Sequence, residues 1–252
     1  MARPLTLTVI EARPLPDARC WLVVSEPLLA RGMRAGQYLL LRCDEPGDWS
    51  RLLPRALFVA ATQPALGQLA LLFDTDDPGM AWLARRQPGA VLAALGPLGR
   101  AVTPATGRLA LLVDESRLLA PMLALARERV THDAVTLVLA GLTLPGFLLP
   151  ADVEVQHYPD SLAQRFADRA WSDELLRWAD GIVLATHGDP DAAISDAILR
   201  ARPRWSHAFA LWLLDRPMVC GSGACGVCRV ATRRGSHLPC IAGIGIDLKE
   251  LT

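Results

Sequence analysis

The sequence predicts an antiparallel β-barrel, then an α/β domain built on a parallel sheet, then a small cysteine-bearing unit at the C-terminus. Three observations carry this. Short β-type runs separated by Gly and Pro fill the first hundred residues. From about Thr106 onward, strand-like and helix-like runs alternate. Finally, four of the six cysteines crowd between Cys220 and Cys240.

The barrel strands are read from "LTLTVIEA", "WLVVSE", "QYLLLRC", "ALFVAAT" and "QLALLFD", with turns marked by Gly32, Gly36, Pro46, Gly47, Pro64 and Gly67. "PGMAWLARRQPG" reads as one short helix between Pro78 and Pro88, and "AVLAALGPLG" as a last strand and turn. In the second part "RLALLVD", "AVTLVLAG", "DVEVQHY" and "GIVLATHG" are strands. "RLLAPMLALARERV", "SLAQRFADRAWSDELLRWA" and "DAAISDAILRAR" are the covering helices. The expected units are residues 1–104, 105–214 and 215–252.

Bulk properties narrow the class. The 252 residues are 52% hydrophobic and 21% charged, with 26 acidic and 26 basic side chains. That composition is globular, and the balanced charge gives no footprint for nucleic acid. "MARPLTLTVIEARPL" lacks the basic-then-apolar pattern of a signal peptide. The uncharged run Ala134 to Ala151 is interrupted by Gly141, Pro145 and Gly146, so it reads as a buried strand and loop rather than a membrane span. A cytoplasmic, reducing setting is expected, and there clustered thiols favour metal over disulfide.

The cysteines are spaced C-x4-C-x2-C-x11-C through Cys220, Cys225, Cys228 and Cys240. The first three match plant-type [2Fe–2S] spacing. Such a cluster needs two thiolates per iron and a loop close to inorganic sulfide, which Gly221, Gly223 and Gly226 suit because they let N–H groups turn inward. Arg229, Arg233 and Arg234 could offset the cluster's negative charge. Zinc, usually held by two short paired knuckles, fits three grouped cysteines and one alone less well, and unliganded thiols are the third reading. His237 lies close in sequence but reads as a surface residue. The scattered histidines offer no catalytic acid or base, and Trp171, Trp178, Trp205 and Trp212 read as core or partner-facing.

Taken with "MVCGSGACGVC", "CIAGIGID", "AGQYLLLR" and "GPLG", this order resembles the electron-transfer subunit of the heterotetrameric dihydroorotate dehydrogenases, within the ferredoxin–NADP reductase superfamily. The resemblance spans nearly the whole chain. It implies FAD on the barrel, a [2Fe–2S] cluster on the four cysteines, NADH as hydride donor, and an FMN-containing catalytic subunit of pyrimidine biosynthesis as partner. It places flavin contacts at Arg55, Ala56, Leu57 and Phe58, at Leu72, Phe73 and Asp74, and at Gly79 and Met80. Arg55 keeps the family's phosphate-binding arginine, whereas Ala56, Phe58 and Met80 replace its proline, serine and threonine. The nicotinamide turns depart further: Asp114, Glu115, Ser116 and Arg117 stand where the family has glycines, and "THGDP" replaces a Cys-Gly-Pro-like turn. Two carboxylates in a pyrophosphate turn argue against NAD. Two alternatives stay open. One is the small subunit of ferredoxin-dependent NADP transhydrogenases, although that family has aspartate where this chain has Cys220. The other is a non-enzymatic metal-binding module that has lost flavin and NAD.

Overall fold

The computed structural model describes residues 2–43, 51–187 and 192–251. Pro46 and Gly47, together with the Gly188–Pro190 part of "THGDP", lie outside the described residues.

Six antiparallel strands close the expected barrel: β1 (Arg3–Leu15), β2 (Arg19–Ser25), β3 (Tyr38–Leu41), β4 (Arg55–Gln63), β5 (Gln68–Asp74) and β6 (Val91–Leu98). They close in the order β1-β2-β5-β4-β3-β6. The sequence pattern explains the closure. Along β1, Leu5, Leu7 and Val9 are buried while Pro4, Thr6, Thr8 and Ile10 are exposed, the period of two expected when one strand face meets a core. Two helices accompany the barrel. The short α1 (Pro27–Gly32) occupies a stretch read from sequence only as a turn, and Glu26 caps it through Leu29 N–H. The expected helix after β5 is α2 (Pro78–Ala84), begun by Asp77 as N-cap and by Pro78, whose missing N–H costs nothing at a first helical position.

The α/β domain carries β7 (Arg108–Val113), β8 (Ala134–Ala140), β9 (Glu154–Tyr158), β10 (Gly181–Ala185) and β11 (Ala210–Leu213), all parallel. The strands β7, β8, β10 and β11 are buried along nearly their whole length, as strands covered on both faces must be. The sheet order is β14-β11-β10-β7-β8-β9. Its last member was not anticipated: β14 (Gly245–Asp247) comes from beyond the cysteines and pairs antiparallel with β11. The cysteine segment is therefore anchored in the sheet by its own end.

Four helices cover this sheet: α3 (Leu119–Arg129), α4 (Leu162–Ala167), α5 (Arg169–Trp178) and α6 (Ala192–Ala201). The single helix expected over 161–179 is instead two, α4 and α5. Asp168 is extended at the junction, and its carboxylate accepts Ala170 N–H and Trp171 N–H, starting α5 afresh. A carboxylate that can cap competes with helix continuation. Trp212 is fully buried and Trp171, Trp178 and Trp205 are half-buried.

Helix α3 decides how the two halves meet. Every residue from Leu119 to Ala126 is buried, because one face packs on the sheet and the other on barrel strand β4. Its last turn is stitched to the barrel. Arg127 donates to Ala60 O at 3.0 Å, and Glu128 accepts Ala35 N–H at 2.6 Å and Arg34 Nε–H at 3.1 Å. Among the described residues no helix is long and apolar enough to cross a membrane.

The turn before β3 tests this packing. Gly36 has φ +85°, and a Cβ there would lie 2.5 Å from Val102 Cγ2, beside the Val102 N–H to Ala35 O bond of 2.9 Å. Gly36→Ala is expected to lower unfolding free energy by about 2–4 kcal/mol in urea titrations, combining left-handed strain with overpacking. Gly32→Ala, with open space around it, should stay near wild type.

Candidate functional site

The loop after β11 brings the four grouped cysteines together as two pairs. Cys225 Sγ–H donates to Cys220 Sγ at 3.2 Å, and Cys240 lies near enough to the Cys228 and Cys220 thiols for both to raise it. The eleven-residue gap before Cys240 is spent on a hairpin. Strands β12 (Val230–Thr232) and β13 (Gly235–His237) pair around Arg233 and Arg234 and carry the chain back to helix α7 (Pro239–Ala242), which holds Cys240. Gly221, Gly223 and Gly226 all have positive φ. At Gly221 the need is steric as well, since a Cβ would meet Leu98 Cδ1 at 2.9 Å and Leu40 Cδ1 at 3.1 Å on the barrel rim.

Backbone donors converge on these sulfurs. The N–H groups of Cys225 and Ser222 lower the Cys220 thiol to about 6. Burial pushes Cys240 up to about 12, with the Cys228 thiol adding to it and Gly223 N–H opposing it. Cys228 and Cys240 are buried and Cys225 is exposed. Among the described residues no three His, Cys, Asp or Glu side chains gather about one metal position. His237, half-buried rather than on the surface, has Nε2 only 2.7 Å from Gly243 O, which occupies it structurally. Arg229, Arg233 and Arg234 are exposed around the loop. Cys20 and Cys43 are buried in the barrel, where burial raises the Cys20 thiol to about 12 and keeps it unreactive.

Next to this loop lies a cavity of about 470 Å³. Arg55, Ala56, Leu57 and Phe58 from β4, Leu72, Phe73 and Asp74 from β5, and Met80 from α2, the residues at which the resemblance places flavin contacts, all line it. Gly79 sits behind Arg55, so close that a Cβ would lie 3.1 Å from its guanidinium. The opposite wall, Asp215 to Val219, was not anticipated; it leads directly into Cys220. Tyr38 joins the two regions: its ring meets Phe58 edge-on at 5.9 Å and its hydroxyl donates to Cys240 O at 3.0 Å.

Size and lining suit a flavin ring, since small-molecule sites are mostly apolar with a few placed polar groups. The phosphate end is less free. Arg55 pairs with Asp77 through two hydrogen bonds of 2.6 and 2.9 Å, while the same carboxylate accepts Gly79 N–H and Met80 N–H. Burial raises the Asp77 carboxyl, but the bonds from Arg55, Met80 and Gly79 outweigh it and hold it below the usual range. A flavin phosphate would have to share Arg55 with Asp77. Sequence reasoning missed Asp77, although Asp before Pro-Gly is a recognisable N-cap signal.

The remaining polar groups stand at the carboxyl ends of β7, β10 and β11. Asp114 accepts Leu162 N–H at 3.0 Å and His187 N–H at 3.3 Å. Glu115, 6% exposed, accepts Arg117 N–H and lies 2.8 Å from His187 Nδ1. Ser116 Oγ–H donates to Asp74 Oδ2 at 2.6 Å, and Arg117 spans from Asp76 at 3.3 Å to Asp215 at 3.7 Å.

The two-domain arrangement is the ferredoxin–NADP reductase fold. The NADH-dependent reduced ferredoxin–NADP oxidoreductase superposes with a TM-score of 0.74 at 18% identity, over 98% of this chain and 89% of that one. The ferredoxin reductase of carbazole 1,9a-dioxygenase gives 0.61 at 17% identity, over 84% of this chain and 67% of that one. A siderophore-interacting protein from Aeromonas hydrophila gives 0.58 at 17% identity, over 82% and 89%. In sequence, the chain resembles the electron transfer subunit of dihydroorotate dehydrogenase B (NAD(+)) from Geobacillus thermodenitrificans. The two are 27% identical over 232 residues, 88% of this chain and 87% of the relative. No family model matches the chain.

Three carboxyls of the cleft are held above the ordinary range, in each case by burial first. At Asp74 the Ser116 hydroxyl opposes this and Asp76 adds to it; at Asp114 and Asp215 the Glu115 charge adds to it. A carboxyl with a raised folded pKa makes the folded state bind more protons than the unfolded one. Its stabilising share therefore grows as pH falls through the carboxylate range and is lost as pH rises. Asp74→Asn removes one such group while leaving an acceptor for Ser116. The Tm of this variant relative to wild type is expected to be more favourable at neutral pH than at mildly acidic pH. A Tm difference independent of pH would contradict the assignment.

Proposed function

We propose that this chain is an electron-transfer subunit: Cys220, Cys225, Cys228 and Cys240 hold a [2Fe–2S] cluster, and the adjoining cavity holds FAD. Its partner is an FMN-containing catalytic subunit of dihydroorotate dehydrogenase type, in a hetero-oligomer. The observation that carries this reading is adjacency: two thiol pairs begin at the residue after the cavity wall Asp215–Val219. Similarity to a dihydroorotate dehydrogenase B electron transfer subunit supports it.

The chain's own residues have definable tasks. Phe58, Leu72, Phe73 and Met80 form an apolar wall that keeps water from a ring system. Arg55 supplies the cation for phosphate, sharing it with Asp77. The N–H groups of Ser222, Gly223 and Cys225 direct positive dipoles at the ligand sulfurs and favour their deprotonated state. Exposed Cys225 marks the side of the loop nearest solvent and thus a partner. Bound in these places, a flavin exchanges electrons in twos or singly and an iron–sulfur cluster exchanges them singly, the conversion an electron-transfer subunit performs. A second reading, a one-centre relay without flavin, is favoured by the hold of Asp77 on Arg55.

An anaerobic absorption spectrum, with iron, sulfide, zinc and flavin assayed on one sample, separates these. About two irons and two sulfides per chain with stoichiometric flavin are expected, and zinc without sulfide would overturn the redox assignment. Cys225→Ser and Cys240→Ser are each expected to abolish the cluster. Arg55→Ala should lose flavin and keep iron; retention of flavin by that variant would refute the phosphate role of Arg55.

A further inference from the structure

We propose that this chain is closed to nicotinamide dinucleotides, because the carboxylates of Asp114 and Glu115 fill the crevice in which the pyrophosphate of such a ligand would sit. In an open parallel sheet, ligands bind outside the carboxyl ends of the strands, where successive crossovers diverge. Here that point lies between β7 and β10: the chain leaves β7 for β8 on one side and returns as β10 on the other. The residue after β7 is Asp114, and the second residue after β10 is His187.

Three features close the crevice. The first is donor consumption. The backbone N–H groups of Leu162, which opens α4, and of His187 point at Asp114 Oδ2 and Oδ1 and are thereby taken. Glu115 takes Arg117 N–H and faces the His187 ring. The second is charge. Asp74, Asp114 and Asp215 each lie within reach of the Glu115 charge and are held above the ordinary carboxyl range, burial first, so a pyrophosphate would add negative charge beside an existing group of acids. The third is covalently silent but steric. Ser116 is bonded to Asp74 of the barrel, and Arg117 bridges Asp76 to Asp215, so polar cross-links run between the two halves of the molecule. A dinucleotide reaching from the sheet toward the barrel would have to part them.

This inference goes beyond the electron-transfer reading and does not depend on flavin being present, because it is read by binding. Isothermal titration of the purified chain with NADH, NADPH and ADP-ribose should show no saturable heat up to about 1 mM. The double variant Asp114→Asn/Glu115→Gln keeps the side-chain shapes and removes both charges. It is expected to tighten ADP-ribose binding by about tenfold or more, the worth of one partly buried like-charge contact. If the double variant does not fold, Glu115→Gln alone carries the same test with a smaller gain. Wild-type binding of either dinucleotide at micromolar concentration, competed by ADP-ribose, would overturn the proposal. So would a folded variant that gains no affinity. Dithionite titration of the same samples, followed by absorption, keeps the two readings apart. Bleaching without dinucleotide binding supports both, and absence of any bleachable centre counts against the electron-transfer reading alone.

Discussion

The burial of α3 between the barrel and the sheet is the constraint on which the rest depends. A helix apolar on every side from Leu119 to Ala126 cannot face water on either side. It therefore fixes the distance and tilt between strand β4 and strands β7 and β8. That placement leaves the ends of β4 and β5 opposite the ends of β7, β10 and β11. The cavity lined by Arg55 and Phe58 on one side and by Asp215 to Val219 on the other exists only because those ends meet. Arg127 and Glu128 lock the geometry at the far end of the helix with bonds to Ala60 and Ala35.

Two positions suited to anions are occupied by the chain's own carboxylates. Asp77 sits between Arg55 and the start of α2, and Asp114 sits at the end of β7. The physical logic is the same at both, since a fixed carboxylate satisfies backbone donors that would otherwise be left orphaned. The balance of charges differs, however. Asp77 brings a partnered arginine, and its carboxyl is held low, so the site keeps a cation that a phosphate can share. At Asp114 burial raises the carboxyl and the neighbouring Glu115 charge adds to it, while the nearby cations, His187 and Arg117, are already engaged by Glu115, Asp76 and Asp215. The cysteine loop uses the same kind of backbone donors on sulfur, with its glycines freeing the N–H groups to point inward.

Much of this was legible in the sequence because it rests on local periodicity. The alternation of β1, the continuous apolar runs of β7 and β8, and the spacing of Cys220, Cys225 and Cys228 are all properties of short segments. The break at Asp168 was missed because helical periodicity runs through it, and only the competing cap bonds to Ala170 and Trp171 divide α4 from α5. Strand β14 was missed because three residues carry too little pattern to be seen without their partner β11. Asp77 could have been found from the Asp-Pro-Gly order. Its pairing with Arg55 could not, because the two are distant in sequence and meet only across the barrel wall.

The sequence alone determined the fold class, the thiol set, and the carboxylates in the turn after β7, since each follows from residue type and spacing. Tertiary structure decided how those pieces act. It divided the four thiols into pairs through the β12–β13 hairpin and tied Cys240 to Tyr38. It also set the Asp215–Val219 wall against β4 and β5, and drew Asp74, Asp114 and Asp215 each within reach of the Glu115 charge. These are contacts between segments far apart along the chain. Packing of α3 and closure of the barrel create them, and no local pattern encodes them.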